Sequence, residues 1–119
     1  MSEPTKAIGR KGEDLAADLC REKKYRIIET NYRTPFGEID IIAKDGDVIV
    51  FIEVKTRSGD GFGAPFEAVT YRKRQKIKKV AMGYLKRFRE EVPCRFDVIS
   101  ISGKNGRNSV EHIRDAFEV

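Results

Sequence analysis

The pattern of apolar and polar residues is most regular between positions 37 and 57. Two segments rich in isoleucine and valine, residues 39–43 and 48–54, are separated by Lys-Asp-Gly-Asp. An Asp-Gly pair between such segments is typical of a hairpin turn, so we predict two antiparallel strands in which residues 44 and 47 face each other. One face of the hairpin is then wholly apolar, and it consists of Ile39, Ile41, Ala43, Val48, Val50 and Ile52.

The opposite face of the hairpin carries charged residues. Glu38 is expected opposite Glu53, and Asp40 opposite Phe51. Lys55 follows on the same face, two residues after Glu53. Charges in such an apolar setting need compensation. One interpretation is an ion pair of Lys55 and Glu53 that lines a crevice, and the other is a site where two carboxylates bind a hard divalent cation.

Periodic patterns on both sides of the hairpin complete the set of predicted elements. Apolar residues at helical spacing predict a first helix over residues 8–23 and a long helix over residues 69–91. Further strands are predicted at residues 26–32, 95–101 and 110–113. The order is therefore αβββα followed by one or two strands, which is an α/β arrangement around a mixed sheet.

The long predicted helix is amphipathic and strongly basic. Its apolar stripe consists of Ile77, Val80, Ala81, Tyr84, Leu85 and Phe88. Positions 72–89 hold nine Lys and Arg and no acidic residue, so this span carries +9 and the remainder −4 of the whole-chain charge of +5. Four of these residues are expected to point away from the core, namely Arg72, Lys76, Lys79 and Lys86. Lys73 and Arg74 continue the line of the stripe and are placed to overhang the charged face of the hairpin.

This charge imbalance favours a polyanion as the partner. Binding to a membrane surface is the competing interpretation, but the apolar stripe is needed for the core. The sequence contains no run of about 18 apolar residues, so we expect no membrane span. The first six residues lack the apolar region of a signal peptide, and we expect a cytoplasmic protein.

The 119 residues are expected to form one domain, residues 1–119. Cys20 and Cys94 are isolated in sequence, and His112 alone cannot complete a zinc site, so we expect reduced thiols. Asp97 is expected to make structural hydrogen bonds, with a catalytic role as the alternative. His112 is expected to be an ordinary strand residue. The glycine-rich residues 58–65 predict a mobile loop beside the site rather than a phosphate-binding Walker loop, because the Gly-Lys-Ser/Thr ending is absent.

The motifs around the hairpin resemble a known family. Asp40, twelve intervening residues and Glu53-Val54-Lys55 resemble the PD-(D/E)XK nuclease signature, although Ile39 stands where the motif has its proline. Longer strings resemble the YraN family of bacterial proteins, and they are Gly37-Glu38-Ile39-Asp40-Ile41-Ile42-Ala43 and Phe51-Ile52-Glu53-Val54-Lys55-Thr56-Arg57. Shorter matches occur near both ends, at Gly9-x-x-Gly12-Glu13-x-x-Ala16, Cys94-Arg95-Phe96-Asp97-Val98 and Asp115-Ala116-Phe117.

The resemblance implies a restriction-endonuclease-like αβββαβ core with a mixed central sheet, and the pattern adds a C-terminal strand. It also implies a relation to Holliday-junction resolvases, which share this fold. Many such enzymes add an acidic residue from the first helix. Glu13 is the candidate here, because it is surrounded by the small residues Gly9, Gly12, Ala16, Ala17 and Cys20. The alternative for Glu13 is a solvated helix glutamate.

The resulting hypothesis is a nuclease that hydrolyses phosphodiester bonds in DNA, acting on branched or damaged DNA as the resolvases do. Asp40 and Glu53, with Glu13, would hold Mg²⁺ or Mn²⁺, and Lys55 would position or activate the attacking water. The phosphate-binding residues would be Arg72, Lys73, Arg74, Lys76 and Lys79. DNA is favoured over RNA, and a homodimer would suit an enzyme that cuts two strands. The alternatives are a module that binds nucleic acid without cutting it and an accessory subunit that needs another protein.

Overall fold

The computed structural model describes residues 4–58, 69–104 and 107–118. Its elements follow in the order α1 (Pro4–Glu22), β1 (Arg26–Thr34), β2 (Gly37–Asp45), β3 (Val48–Ser58), α2 (Tyr71–Leu85), β4 (Cys94–Lys104) and β5 (Arg107–Phe117). Every predicted helix and strand is present, so the αβββαβ order with a further C-terminal strand is confirmed. The predicted glycine-rich loop lies, from residue 59 onward, outside the described residues.

The strands form one mixed sheet in the order β1-β2-β3-β4-β5. β3 and β4 run parallel, and all other neighbours are antiparallel. A parallel pair requires a crossover connection, and α2 lies in it. β3 is the middle strand and carries Glu53 and Lys55, which explains why these charged residues are not at an edge of the sheet.

The two helices cover opposite faces of the sheet. On the α1 face the core includes Ala16, Cys20, Ile41, Val50, Ile52 and Ile99. On the α2 face it includes Ile42, Ile49, Phe51, Ile77, Val80 and Tyr84. Gly12 allows α1 to approach β3 closely, because a Cβ at this position would overlap Oγ1 of Thr56. The small residues of α1 thus bring its first half against the charged end of β3.

The register of the β2–β3 hairpin differs from the prediction by two residues. The structure pairs Ile41 with Ile52 and Asp45 with Val48, so the loop is Gly46-Asp47 rather than Asp45-Gly46. Gly46 has a φ of +59°, which suits glycine at the first of two loop positions. A shift of two keeps each side chain on its face but changes its partner. Continued by one pair, this register places Asp40, and not Glu38, opposite Glu53.

The wholly apolar face predicted for the hairpin is wrong at one position. Ile39 packs in the α2 core, whereas Ile41 and Ala43 pack in the α1 core. The β2–β3 pairing ends at Ile41, while β2 stays paired with β1 as far as Gly37. β2 therefore leaves β3 near Asp40 and follows β1 toward α2, which takes Ile39 to the other side of the sheet.

Helix α2 is shorter than predicted at its C-terminal end. The Thr70 hydroxyl caps its N-terminus by accepting the Lys73 N–H at 3.2 Å. After Leu85 the backbone switches to bonds of the i to i−3 type, from Arg87 to Tyr84 and from Phe88 to Leu85. Phe88 thus lies beyond the helix and is exposed rather than part of its buried stripe. In the described part of the chain, neither helix is apolar enough over a sufficient length to cross a membrane.

Candidate active site

The candidate site lies where β2 and β3 separate. Beyond the Ile41–Ile52 pair the backbone ladder between these strands stops, although both strands continue. The Asp40 carboxylate takes over one of the lost bonds, because its Oδ2 accepts the Val54 N–H at 2.8 Å. A carboxylate thus occupies the gap between two strands of the sheet, with Glu53 on the neighbouring strand.

Asp40 is destabilised in its charged form. Burial raises its pKa from 3.8 to about 7, with a further contribution from the charge of Glu53 and an opposing one from the Val54 N–H. The side chain lines a cavity on each side of the gap, one shared with Glu53 and the other with Glu13. A half-buried carboxylate whose neighbours are also carboxylates is where a cation would be stabilised most.

Glu53 is buried and paired with a lysine from α2. Its side chain is 6% exposed, and Oε1 lies 2.9 Å from Nζ of Lys73. Burial alone would lower the pKa of Lys73, but the hydrogen bond to Glu53 holds that pKa above its ordinary value. Burial lowers the pKa of Lys55, and the neighbouring Lys73 lowers it further. Two lysines therefore share the vicinity of one buried glutamate.

The cavity between β2 and α2 has a volume of about 390 Å³ and walls of opposite charge. Its acidic wall consists of Glu38, Asp40 and Glu53, and its basic wall of Arg72, Lys73 and Lys76. Thr70 also lines the cavity, so the start of α2 lies at its edge. An anion such as a phosphate would be attracted by one wall, and a cation by the other.

Glu13 reaches Asp40 but not Glu53. Glu13 and Asp40 line a second cavity, of about 440 Å³, on the α1 side. With its amide nitrogen facing the carboxylates, Asn31 donates to Glu13 at 3.3 Å and to Glu38 at 3.2 Å. Asn31 has a φ of +52°, a conformation that asparagine tolerates better than most residues. Sequence reasoning missed Asn31, and its one signal was an asparagine inside a strand.

The donor set partly fits the expected divalent cation. Mg²⁺ in proteins commonly takes one or two carboxylates and completes its shell with water or phosphate, and Asp40 and Glu53 provide such a pair. The like-charge repulsion that raises the pKa of Asp40 is what a cation would remove. Within the described residues no three His, Cys, Asp or Glu side chains converge as a metal-binding group. The structure therefore does not bring Glu13 to Asp40 and Glu53 as a third protein ligand.

The basic residues of α2 divide into two groups. Arg72, Lys73 and Lys76 line the cavity, as expected of phosphate-binding residues near the site. Lys79 lies one turn further along and places Nζ 4.3 Å from the centroid of the Phe36 ring. Arg74 does not line the cavity and is half-buried, with its Nε lacking a hydrogen-bond partner among the described residues.

The family model described as "Uncharacterised protein family UPF0102" matches residues 12–101. The chain belongs to the UPF0102 family. It is 54% identical over 110 residues to a UPF0102 protein of Thermodesulfovibrio yellowstonii, which covers 92% of this chain and 95% of the relative. It is 46% identical over 120 residues to one of Geobacter metallireducens, which covers 100% and 98% of the two chains. The predicted membership of the YraN family, another name of UPF0102, is confirmed.

A second charged cluster of this UPF0102 chain lies away from the gap, around Asp97. Asp97 is fully buried and accepts hydrogen bonds from Nε of Arg95 at 3.1 Å and from the Asp115 N–H at 2.9 Å. His112 Nε2 lies 2.7 Å from its Oδ2. Burial alone would raise the pKa of Asp97, but the hydrogen bonds from His112, Asp115 and Arg95 hold it below its ordinary value.

Asp97 therefore has the structural surroundings that we expected, whereas His112 is more than an ordinary strand residue. The ring of His112 bridges Asp97 and the Lys23 ammonium, and it connects β5 to β4 and to the turn that follows α1. The two cysteines are free thiols. Cys20 is buried, which raises its pKa to about 11, and Cys94 is half-buried with a raised pKa. Neither thiol is poised to act as a nucleophile.

Proposed function

We propose that this protein is a metal-dependent nuclease that hydrolyses phosphodiester bonds in DNA. The observation that carries the proposal is the proximity of the Asp40 and Glu53 carboxylates at the gap between β2 and β3. There the pKa of Asp40 is raised to about 7, at the edge of a cavity whose other wall is basic. Strongly perturbed carboxylates in a cleft are typical of functional sites. The basic residues Arg72, Lys73 and Lys76 at the cavity support a polyanionic substrate.

Each residue would have a definite task. Asp40 and Glu53 would hold Mg²⁺ or Mn²⁺, and Asp40 is pre-oriented by the Val54 N–H. When bound, the cation would supply Lewis-acid stabilisation of the phosphate and an activated water. Lys55 would orient the attacking water through hydrogen bonds donated by Nζ. Arg72 and Lys76 would hold the phosphates that flank the scissile bond.

Lys73 would change partner during this cycle. Its ammonium lies 2.9 Å from Oε1 of Glu53 and compensates the buried charge. With a divalent cation held by Glu53, Lys73 would no longer be needed as the compensating charge. The freed ammonium, at the basic wall of the cavity, would then donate to a phosphate oxygen of the substrate.

The test is a cleavage assay with labelled single-stranded, duplex and branched DNA in Mn²⁺ or Mg²⁺. The parent protein should cut at least one substrate. Asp40→Asn and Glu53→Gln should lose both cleavage and metal binding, because each removes a ligand charge at nearly constant volume. Lys55→Ala should lose cleavage but bind Mn²⁺ as the parent does, since an ammonium is not a ligand.

Asp47→Asn is the matched control for the carboxylate-to-amide change, because Asp47 is exposed at the far end of the hairpin. Its cleavage and metal binding should equal those of the parent. Metal-dependent cleavage that survives in both Asp40→Asn and Glu53→Gln would overturn the proposed site. A parent that takes up neither cation and cuts none of the substrates would overturn the proposed activity.

One observation favours a second candidate, a module that binds nucleic acid without cutting it. Glu53 already has a positive partner in Lys73, and the described residues contain no third metal ligand. In that case the carboxylates would only repel bound phosphate. Asp40→Asn would then tighten DNA binding in metal-free buffer, and the parent would bind DNA unchanged by Mn²⁺ and leave it intact.

A further inference from the structure

Phe36 is an exposed aromatic residue at the turn between β1 and β2. The turn is a two-residue loop, since Thr34 pairs with Gly37, and the Thr34 hydroxyl accepts the Phe36 N–H at 3.1 Å. Phe36 is 55% exposed. The Lys79 ammonium lies over one face of its ring, 4.3 Å from the centroid. The ring is therefore held in place by short-range contacts while much of its apolar surface faces water.

The position of this turn connects Phe36 to the candidate site. Gly37, the next residue, lines the cavity with Asp40 and Glu53. A Cβ at Gly37 would lie 3.8 Å from Cβ of Lys76, so the turn rests on α2. Since residues three or four apart share one side of a helix, Arg72, Lys76 and Lys79 form a row along α2. We call these three residues the basic row, and Phe36 lies at its Lys79 end.

An aromatic ring beside a row of cations is a combination used to bind unpaired nucleotides. The cations follow the phosphates, and the ring stacks on a base whose face is free. In a continuous duplex both faces of each base are covered by its neighbours, so a ring at this position has no base to stack on. A surface with these two features therefore favours an unpaired strand over a continuous duplex.

We propose that Phe36 stacks on an unpaired base of the nucleic acid, so that the site selects single-stranded or locally unpaired substrates. This inference rests on the proposed function. The strand would run along the basic row, with Phe36 holding a base a short distance from the phosphate at Asp40 and Glu53. The Lys79 ammonium would contact both the ring and a phosphate, which adds a cation–π contribution.

The test measures binding of two fluorescent DNA probes of the same sequence, a single-stranded oligonucleotide and its blunt duplex, in metal-free buffer. Phe36→Ala should weaken binding of the single strand by about tenfold and change duplex binding by less than about twofold. Phe36→Leu keeps an apolar side chain at the turn and should show the same selective loss. Phe36→Trp should bind the single strand as tightly as the parent does, because the indole ring also stacks on bases.

Phe88→Ala is the matched control, since Phe88 is 37% exposed and lies past the other end of α2. It should leave the ratio of the two affinities unchanged, and thermal melting of each variant checks the fold. Equal losses on both probes, or no loss on either, would overturn the role of Phe36. If the parent binds neither probe, the proposed function fails as well. If the parent cleaves unpaired DNA selectively with Mn²⁺ and the Phe36 variants do so equally well, this inference is overturned while the proposed function stands.

Discussion

Asp40 and Asp97 lie on strands on either side of β3, and their environments shift their acidities in opposite directions. Asp97 receives hydrogen bonds from Arg95, from the Asp115 N–H and from His112, and its pKa is held below the ordinary range. Asp40 receives the Val54 N–H but faces further carboxylates, and burial raises its pKa to about 7. Both side chains pay a desolvation penalty, and only that of Asp97 is compensated within the described residues.

The difference separates a buried charge that the fold compensates from one that it does not compensate. The Asp97 cluster is complete, because a guanidinium, an imidazole and a backbone N–H balance its charge. Among the described residues, one ammonium lies at hydrogen-bond distance from the Asp40 and Glu53 pair, that of Lys73 on Glu53. An uncompensated buried charge costs stability, and a protein keeps it where a ligand supplies the missing charge.

The largest expected effect is on the stability of Asp97 variants. Asp97→Asn leaves the Arg95 guanidinium, 11% exposed, without its main buried partner. Breaking a buried ion pair from one side costs about 3–5 kcal/mol, so the free energy of unfolding should fall by about that amount. Asp40→Asn should leave it unchanged or raise it at pH 8. Urea unfolding of both variants in metal-free buffer measures this, and equal losses would erase the distinction between the two aspartates.

The second prediction is the pH dependence of stability. The folded-state pKa of Asp40 is above its ordinary value of 3.8, so the folded protein binds the extra proton and stability falls as pH rises from about 4 to about 7. The contribution of Asp97 to stability depends on pH in the opposite direction. It is lost only as the pH falls below the ordinary pKa of an aspartate. The free energy of unfolding of the parent minus that of Asp40→Asn should decrease as the pH is raised from 4 to 8. A flat difference would contradict the assigned environment of Asp40.

The third prediction concerns the single compensating charge in the gap. Lys73→Met removes the ammonium from buried Glu53, and an unsatisfied buried group costs about 1–3 kcal/mol. Stability at pH 8 without metal should drop by that amount, and Mn²⁺ should recover part of it. Lys86→Met, at an exposed position just after α2, is the control and should change stability by less than about 0.5 kcal/mol. If Lys73→Met loses no more unfolding free energy than the control, the ion pair does not contribute to stability.

The smallest expected effect on stability belongs to the basic row. Arg72, Lys76 and Lys79 are exposed, so reversing their charges should leave the free energy of unfolding within about 0.5 kcal/mol. Each lost phosphate contact should lower the slope of log affinity against log salt by about one. DNA binding over a salt series measures this. Unchanged binding would place the nucleic-acid surface elsewhere on the molecule.

Much of the site could be predicted from the sequence, because side chains alternate strictly between the two faces of a sheet wherever strand pairing is regular. The alternation placed Glu53 and Lys55 on the α2 face and predicted that Asp40 belongs with them. The register was not predictable, because Asp45-Gly46 and Gly46-Asp47 both make acceptable two-residue loops. The crossing of Ile39 to the other core follows from the separation of β2 from β3, a tertiary effect that a local pattern does not contain.

Other features depended on contacts between distant parts of the chain. The basic helix was readable from composition, but the pairing of Lys73 with Glu53 requires α2 to pack over the end of β3. The early end of α2 has no proline or glycine at residue 86 to mark it. Asn31 reaches Glu13 through a positive φ that only the folded sheet imposes. The structural role of Asp97 could be predicted from the sequence. The bridging role of His112 could not, because it depends on where the fold places Lys23, just after α1.

The most direct test of a cation site at Asp40 and Glu53 is the change in melting temperature when Mn²⁺ is added at pH 8. If Asp40 and Glu53 form a site that lacks only its cation, the parent should be stabilised, by about 4 °C for each 1 kcal/mol of binding free energy. Asp47→Asn should respond as the parent does, and Asp40→Asn should respond little. If millimolar Mn²⁺ does not change the melting temperature of the parent, or if Asp40→Asn responds equally, Asp40 and Glu53 do not form a cation site.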